Sequence, residues 1–193
     1  MNKYFALAVL LLISFMSFGQ AKTTTALTDG AALLFKNTKS KLTSDEKIWL
    51  FKQLNFTLSK DKKKFMSGEY EVAVQPYITD MNKDGNEEVF IVMQSSALFG
   101  NKEQDFMLYI KNSKGNFVKD PDLSGGIAMI LTSKNSGYPD IAVGGPGFDF
   151  PICRWDGKKY KYLKQLKDAD LQSGKIKYMD LAECSKLYTD TLK

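Results

Sequence analysis

The chain has 193 residues, 44% of them hydrophobic and 25% charged, which is the make-up of a globular protein and not of a disordered one. Its net charge of +5 is spread along the chain, and it contains no histidine. The missing imidazole excludes Ser-His-Asp and Cys-His nucleophile activation, His-ligated zinc and histidine general-base chemistry, and enzymes using carboxylate pairs alone remain possible.

Met1-Asn2-Lys3-Tyr4 is a short positive segment, and Phe5 to Phe15 is an apolar run of signal-peptide length, too short to span a bilayer comfortably. Ser17 and Gly19 then place small residues three and one positions before a cleavage point. Residues 1–19 are therefore expected to be a signal peptide, with an uncleaved anchor helix as the alternative. The expected product starts at Gln20, is periplasmic or secreted, and has no transmembrane anchor. Residues 20–193 fit one globular domain with a single sizeable core.

The segment 27–60 reads as helical. Ala31 to Phe35 suggests a short helix started near Asp29 and weakened at its entry by Gly30. Thr43 and Glu46 form a capping box, and Ile48, Phe51, Leu54 and Leu58 recur at near-helical spacing behind it. Lys60-Asp61-Lys62-Lys63-Lys64 is a solvated charge run or an anion contact. No aromatic residue interleaves it, as a nucleic-acid platform would require.

From Gly68 the apolar period changes from helix to strand, and 68–165 reads as β-rich. Tyr70, Val72 and Val74 alternate with more polar neighbours, whereas Val89 to Met93 is a continuous apolar run expected of a strand buried on both faces. Further short strands follow at Phe106–Ile110, Ile127–Leu131 and Ile141–Val143. Asp156-Gly157 predicts a hairpin between Cys153–Trp155 and Tyr160–Tyr162. A short helix closes the chain over 179–192. The fold class predicted is α+β, with N-terminal helices packed on an antiparallel β-meander. Cys153 and Cys184 form a disulfide in an oxidising compartment, or stand as two separately buried thiols.

Between the first two long strands lies Asp80-Met81-Asn82-Lys83-Asp84-Gly85-Asn86-Glu87-Glu88. Asp80, Asn82 and Asp84 offer side-chain oxygens at positions one, three and five. Gly85 permits the sharp turn, Asn86 offers its backbone carbonyl, and Glu88 brings a carboxylate at position nine. That spacing wraps oxygens around a hard cation, and Ca2+ is the expected cofactor. The alternative is a plain polar hairpin tip, because Asp, Asn and Gly favour turns without any metal. An EF-hand is excluded by Ile91 at position twelve and by the β-type run that follows.

Over Asp80–Met93 the chain resembles the strand–loop–strand calcium loop of FG-GAP and VCBS-type repeats. That resemblance implies Asp80, Asn82, Asp84, Asn86 and Glu88 as metal ligands, with Glu88 standing where those repeats more often carry Asp. A degenerate copy aligns near Gly137–Val143, with Thr132, Lys134 and Ser136 in place of the oxygen ligands. Two units cannot close a propeller, so the resemblance implies an open, propeller-blade-like sheet.

The Gly- and Pro-rich stretch Gly144–Pro151 is the other candidate site. Phe148, Asp149 and Phe150, extended by Trp155, are expected either to line a shallow ligand groove or to cap the core from a wide turn. Together these features predict an exported, non-enzymatic calcium-binding domain that recognises a protein or glycan of the cell envelope, with no nucleic-acid partner. The alternatives are a carboxylate hydrolase of envelope polymer, using Asp140 or Asp149, and a small envelope inhibitor or stress protein whose basic surface meets an acidic partner.

Overall fold

Thr43 starts a helix where the capping box places it. Its hydroxyl accepts from the Glu46 N–H at 3.2 Å, and the Glu46 carboxylate accepts from the Thr43 N–H at 2.8 Å. This helix, α2 (Ser44–Gln53), follows α1 (Asp29–Leu34). Gly30 permits their close approach, since a Cβ there would sit 2.1 Å from the Phe51 ring. The computed structural model describes residues 25–144 and 149–193, so the 1–19 segment and Phe148 lie outside the described residues.

Two curled antiparallel sheets follow. The first holds six strands in chain order: β1 (Thr57–Leu58), β2 (Phe65–Ser67), β3 (Tyr70–Thr79), β4 (Glu88–Gln94), β5 (Gln104–Lys111) and β6 (Phe117–Lys119). Helix α3 (Ser96–Phe99) lies in the β4–β5 connection. The second sheet contains β7 (Ile127–Asn135), β8 (Tyr138–Gly144), β9 (Phe150–Trp155), β10 (Tyr160–Leu166) and β11 (Tyr178–Asp180), in the order β10-β9-β8-β7-β11. Helix α4 (Asp168–Gln172) precedes β11, and α5 (Leu181–Thr189) is the short C-terminal helix. No helix of the described residues is long and apolar enough to cross a membrane.

The meander is thus split where one continuous sheet was expected. Between β6 and β7 the chain passes through Pro121, which has no N–H to donate to a ladder, and Gly125, held at φ 151°. Pairing stops there and the chain crosses to the second sheet. The split explains the continuous apolar run of β4. Val89, Ile91 and Met93 enter one buried cluster with Leu34, Leu50, Val72 and Ile78. Phe90, on the opposite face, enters a second cluster with Leu108, Ile141, Val143 and Tyr160 between the sheets. A third cluster, with Met129, Ala142, Phe150, Ile152 and Leu171, covers the far side of the second sheet.

Two further expectations are corrected. Cys153 and Cys184 are free thiols and not a disulfide. Both pack against the inter-sheet cluster as small apolar side chains, and burial pushes both thiols above the ordinary cysteine value. The segment 132–135 aligned with the cation loop is no loop either. It continues β7 into a two-residue turn at Ser136 and Gly137, with φ of 49° and 88°, the positive-φ pair of a type I′ hairpin.

Candidate metal centre and inter-sheet cleft

The β3–β4 loop is organised by its own side chains. Asp80 Oδ2 accepts from the Gly85 N–H at 3.1 Å, Asn82 Oδ1 from the Asp84 N–H at 3.1 Å, and Asp84 Oδ1 from the Asn86 N–H at 2.7 Å. Asn82 Nδ2 also donates to Asp84 Oδ2 at 2.9 Å. Lys83 and Gly85 take the left-handed conformations that tighten the loop, with φ of 60° and 85°. Burial raises the Asp84 pKa, but the hydrogen bonds from Asn86 and Asn82 outweigh it and hold the carboxyl below its ordinary value.

Glu88 lies at the neck and is 1% exposed. Its Oε2 accepts from the Met81 N–H at 2.7 Å and the Thr79 hydroxyl at 3.4 Å, and its Oε1 accepts from the Tyr138 hydroxyl at 3.1 Å. Burial, reinforced by the charges of Asp80 and Asp84, pushes its pKa up to about 7 against the hydrogen bonds from Met81 and Tyr138. The β7–β8 turn also rests on the loop, since a Cβ at Gly137 would meet Asn82 Cβ at 3.6 Å. The segment read as a degenerate copy is therefore packed against the loop it resembles.

Among the described residues, no three His, Cys, Asp or Glu side chains form a metal-holding cluster by themselves. The donor set in the loop is mixed, with Asp80 and Asp84 carboxylates, the Asn82 amide and the Asn86 carbonyl. One atom tests its fit to a cation: Asp80 Oδ1 is buried with no hydrogen-bond partner. Leaving such an acceptor unmatched costs about 1–3 kcal/mol, and an all-oxygen donor set suits calcium.

Glu87 escaped the sequence reading. It is 2% exposed, and its Oε1 accepts from the Lys41 N–H at 2.7 Å and the Tyr188 hydroxyl at 3.0 Å. The available signal was its place two residues before Val89, on the face that Val89 and Ile91 bury.

The expected groove around Asp149 is rearranged. Phe150 is buried in the third cluster, packed close to Gly144, while Trp155 packs on Tyr138 with ring centroids 4.6 Å apart. Five residues apart on one strand, the two rings point to opposite faces and do not line one groove. Asp149 is exposed and accepts from the Asp168 N–H at 3.4 Å. An open cleft of about 1100 Å3 lies instead where the two sheets part, lined among others by Gln94, Ser96, Gln104, Ser124, Gly126 and Pro151. Gln94 donates to Gln104 at 3.0 Å, and Gln104 donates to the Gly126 carbonyl. These amides, hydroxyls and peptide groups match hydroxyl- or amide-bearing ligands, and Glu103, Ile127 and Val143 also line the cleft. The cleft lies at the Gln94 end of β4 and the loop at the Glu88 end. At about 3.3 Å per residue the two are some 20 Å apart.

Asp140, weighed above as a catalytic acid, is engaged by Arg154, whose Nε and Nη2 each donate at 2.8 Å, and by the Ser133 hydroxyl at 2.6 Å. Burial pushes its pKa up, yet the Arg154 and Ser133 hydrogen bonds and the Arg154 charge bring it below the ordinary carboxylate value. A depressed pKa in the folded state adds stability above the unfolded value, and that stability is lost as pH falls through the folded one. Asp140→Asn is expected to cost about 2 kcal/mol at neutral pH in denaturant titration and to cost less as the pH approaches 3.

Comparison with family models, with curated proteins and with solved structures finds no significant match to this chain.

Proposed function

We propose that this chain is an exported, calcium-binding, non-enzymatic domain of the FG-GAP/VCBS type, acting in the periplasm or outside the cell and recognising a protein or glycan of the cell envelope. The observation that carries the calcium reading is the buried, unpartnered Asp80 Oδ1 at the entrance to a loop that gathers further oxygens from Asn82, Asp84 and Asn86. Glu88 completes the set at the neck. In this reading, α1 and α2 cover the outer face of a propeller-blade-like first sheet, and calcium fixes the β3–β4 connection against the β7–β8 turn.

Recognition belongs at the other end of β4. The cleft around Gln94, Gln104 and Ser124, with the Glu103 carboxylate in its lining, suits hydroxyl and amide groups of a glycan or an extended peptide. Both acids considered for hydrolysis serve the fold: Asp140 is held by Arg154, and Asp149 accepts from the start of α4. Immobilised protein is expected to retain a partner from envelope extract in calcium, and Gln104→Ala to reduce that retention at least tenfold. Equal retention by the variant would move recognition away from the cleft, and no retention with or without chelator would count against the binding-domain reading.

A further inference from the structure

Beside Asp80 Oδ1, the neck of the loop carries two further unmatched oxygens. The β3–β4 ladder ends with Ile78 paired to Val89 and Thr79 to Glu88, so Asp80 and Glu87 are the residues that leave its two strands. Both carboxylates act on Tyr188 of α5: its hydroxyl donates to Glu87 at 3.0 Å, and burial, then the charges of Glu87 and Asp80, raise its pKa. Like charges buried beside one hydroxyl repel. Asp80 Oδ1 and Glu87 Oε2 are both buried without a hydrogen-bond partner, as is the hydroxyl of Ser40, next to the Lys41 whose N–H binds Glu87.

No ion pair relieves this charge. The salt bridges among the described residues include none of Asp80, Asp84, Glu87 and Glu88. The Lys41 ammonium lies over the Tyr188 ring, 5.8 Å from its centroid, and makes no salt bridge with Glu87. Buried carboxylates are normally paired or bound to metal. One divalent ion in the loop carries two positive charges against the three carboxylates of Asp80, Asp84 and Glu87, and a second ion meets the remainder.

We infer that Asp80, Glu87 and Ser40 form a second calcium site on the helix side of the neck, with the unpartnered Asp80 Oδ1 shared with the loop ion. This second site rests on the calcium reading of the adjacent loop, since Asp80 serves both. Glu87 holds the ion with Oε2 while Oε1 keeps its bonds to Lys41 and Tyr188, so the ion joins the segment before α2, the β3–β4 neck and α5.

Equilibrium dialysis against calcium separates the two sites. Wild-type protein is expected to retain two equivalents, Asp84→Ala one and Glu87→Gln one. Glu87→Gln keeps an amide oxygen to accept from Lys41 and Tyr188, and its melting curve checks that it folds. One equivalent in the wild type, abolished by Asp84→Ala and kept by Glu87→Gln, would overturn the second site and retain the loop. The reverse pattern would overturn the loop and retain the buried site. Two equivalents that survive Glu87→Gln, or none in the wild type, also overturn the inference. Should Glu87→Gln not fold, tyrosine-sensitised terbium emission of the wild type decides: saturation at two equivalents supports the second site and saturation at one overturns it.

Discussion

Chelation of calcium is expected to lower the melting temperature by about 5–10 °C relative to protein at a hundredfold excess of calcium over its Kd. A ligand at that excess stabilises by about 2.7 kcal/mol, and each kcal/mol moves the midpoint of a domain this size by about 2–4 °C. The effect is large because the loop connects more than two strands. Glu88 reaches Tyr138 on the second sheet, and the β7–β8 turn packs on Asn82. Loosening the loop loosens both contacts. In Asp84→Ala the calcium-dependent part of the melt should fall to a small fraction of the wild-type shift. Scanning calorimetry with calcium and with chelator measures it, and superimposable wild-type traces would reduce the loop to an ordinary polar turn.

Asp120→Ala should be the most damaging single change outside the apolar core, costing about 3–5 kcal/mol. Asp120 follows β6 of the first sheet and is 4% exposed. Its Oδ1 accepts from the N–H groups of Asp122 and Leu123 at 3.1 and 3.0 Å, and its Oδ2 from the N–H of Tyr160 on the second sheet at 2.7 Å. Leu123 and Tyr160 are themselves buried, so truncation strands donors that water cannot easily reach, at about 1–3 kcal/mol each. Asp120→Asn keeps one carbonyl oxygen and should fall between wild type and alanine. Urea unfolding gives the order directly: a midpoint for Asp120→Ala within error of wild type would show that these N–H groups find other partners.

The parts of this fold that were legible in the sequence rest on local rules. The Thr43–Glu46 box and the hairpin at Asp156-Gly157 each involve residues a few positions apart, and both appear where expected. The continuous run Val89–Met93 announced burial on both faces, without saying that helix-side residues would cover one face and a second sheet the other. Division into two sheets depended on which strands fail to pair across Pro121–Gly126, and no periodicity encodes that. The oxygen spacing of Asp80–Glu88 was visible because these residues are contiguous. Glu87 was not, since its partners Lys41 and Tyr188 lie 46 and 101 residues away. The alternatives for Cys153 and Trp155 stayed open for a related reason: a side chain's neighbours across a sheet are set by register, which one sequence does not reveal.

The two bonds to Glu87 Oε1 have a mechanical consequence. Lys41 belongs to the opening part of the described chain and Tyr188 to its closing helix, and both donate to the same oxygen. The polypeptide is thereby closed into a ring by one acceptor atom. Detaching one end removes one of the two bonds to the carboxylate that anchors the other.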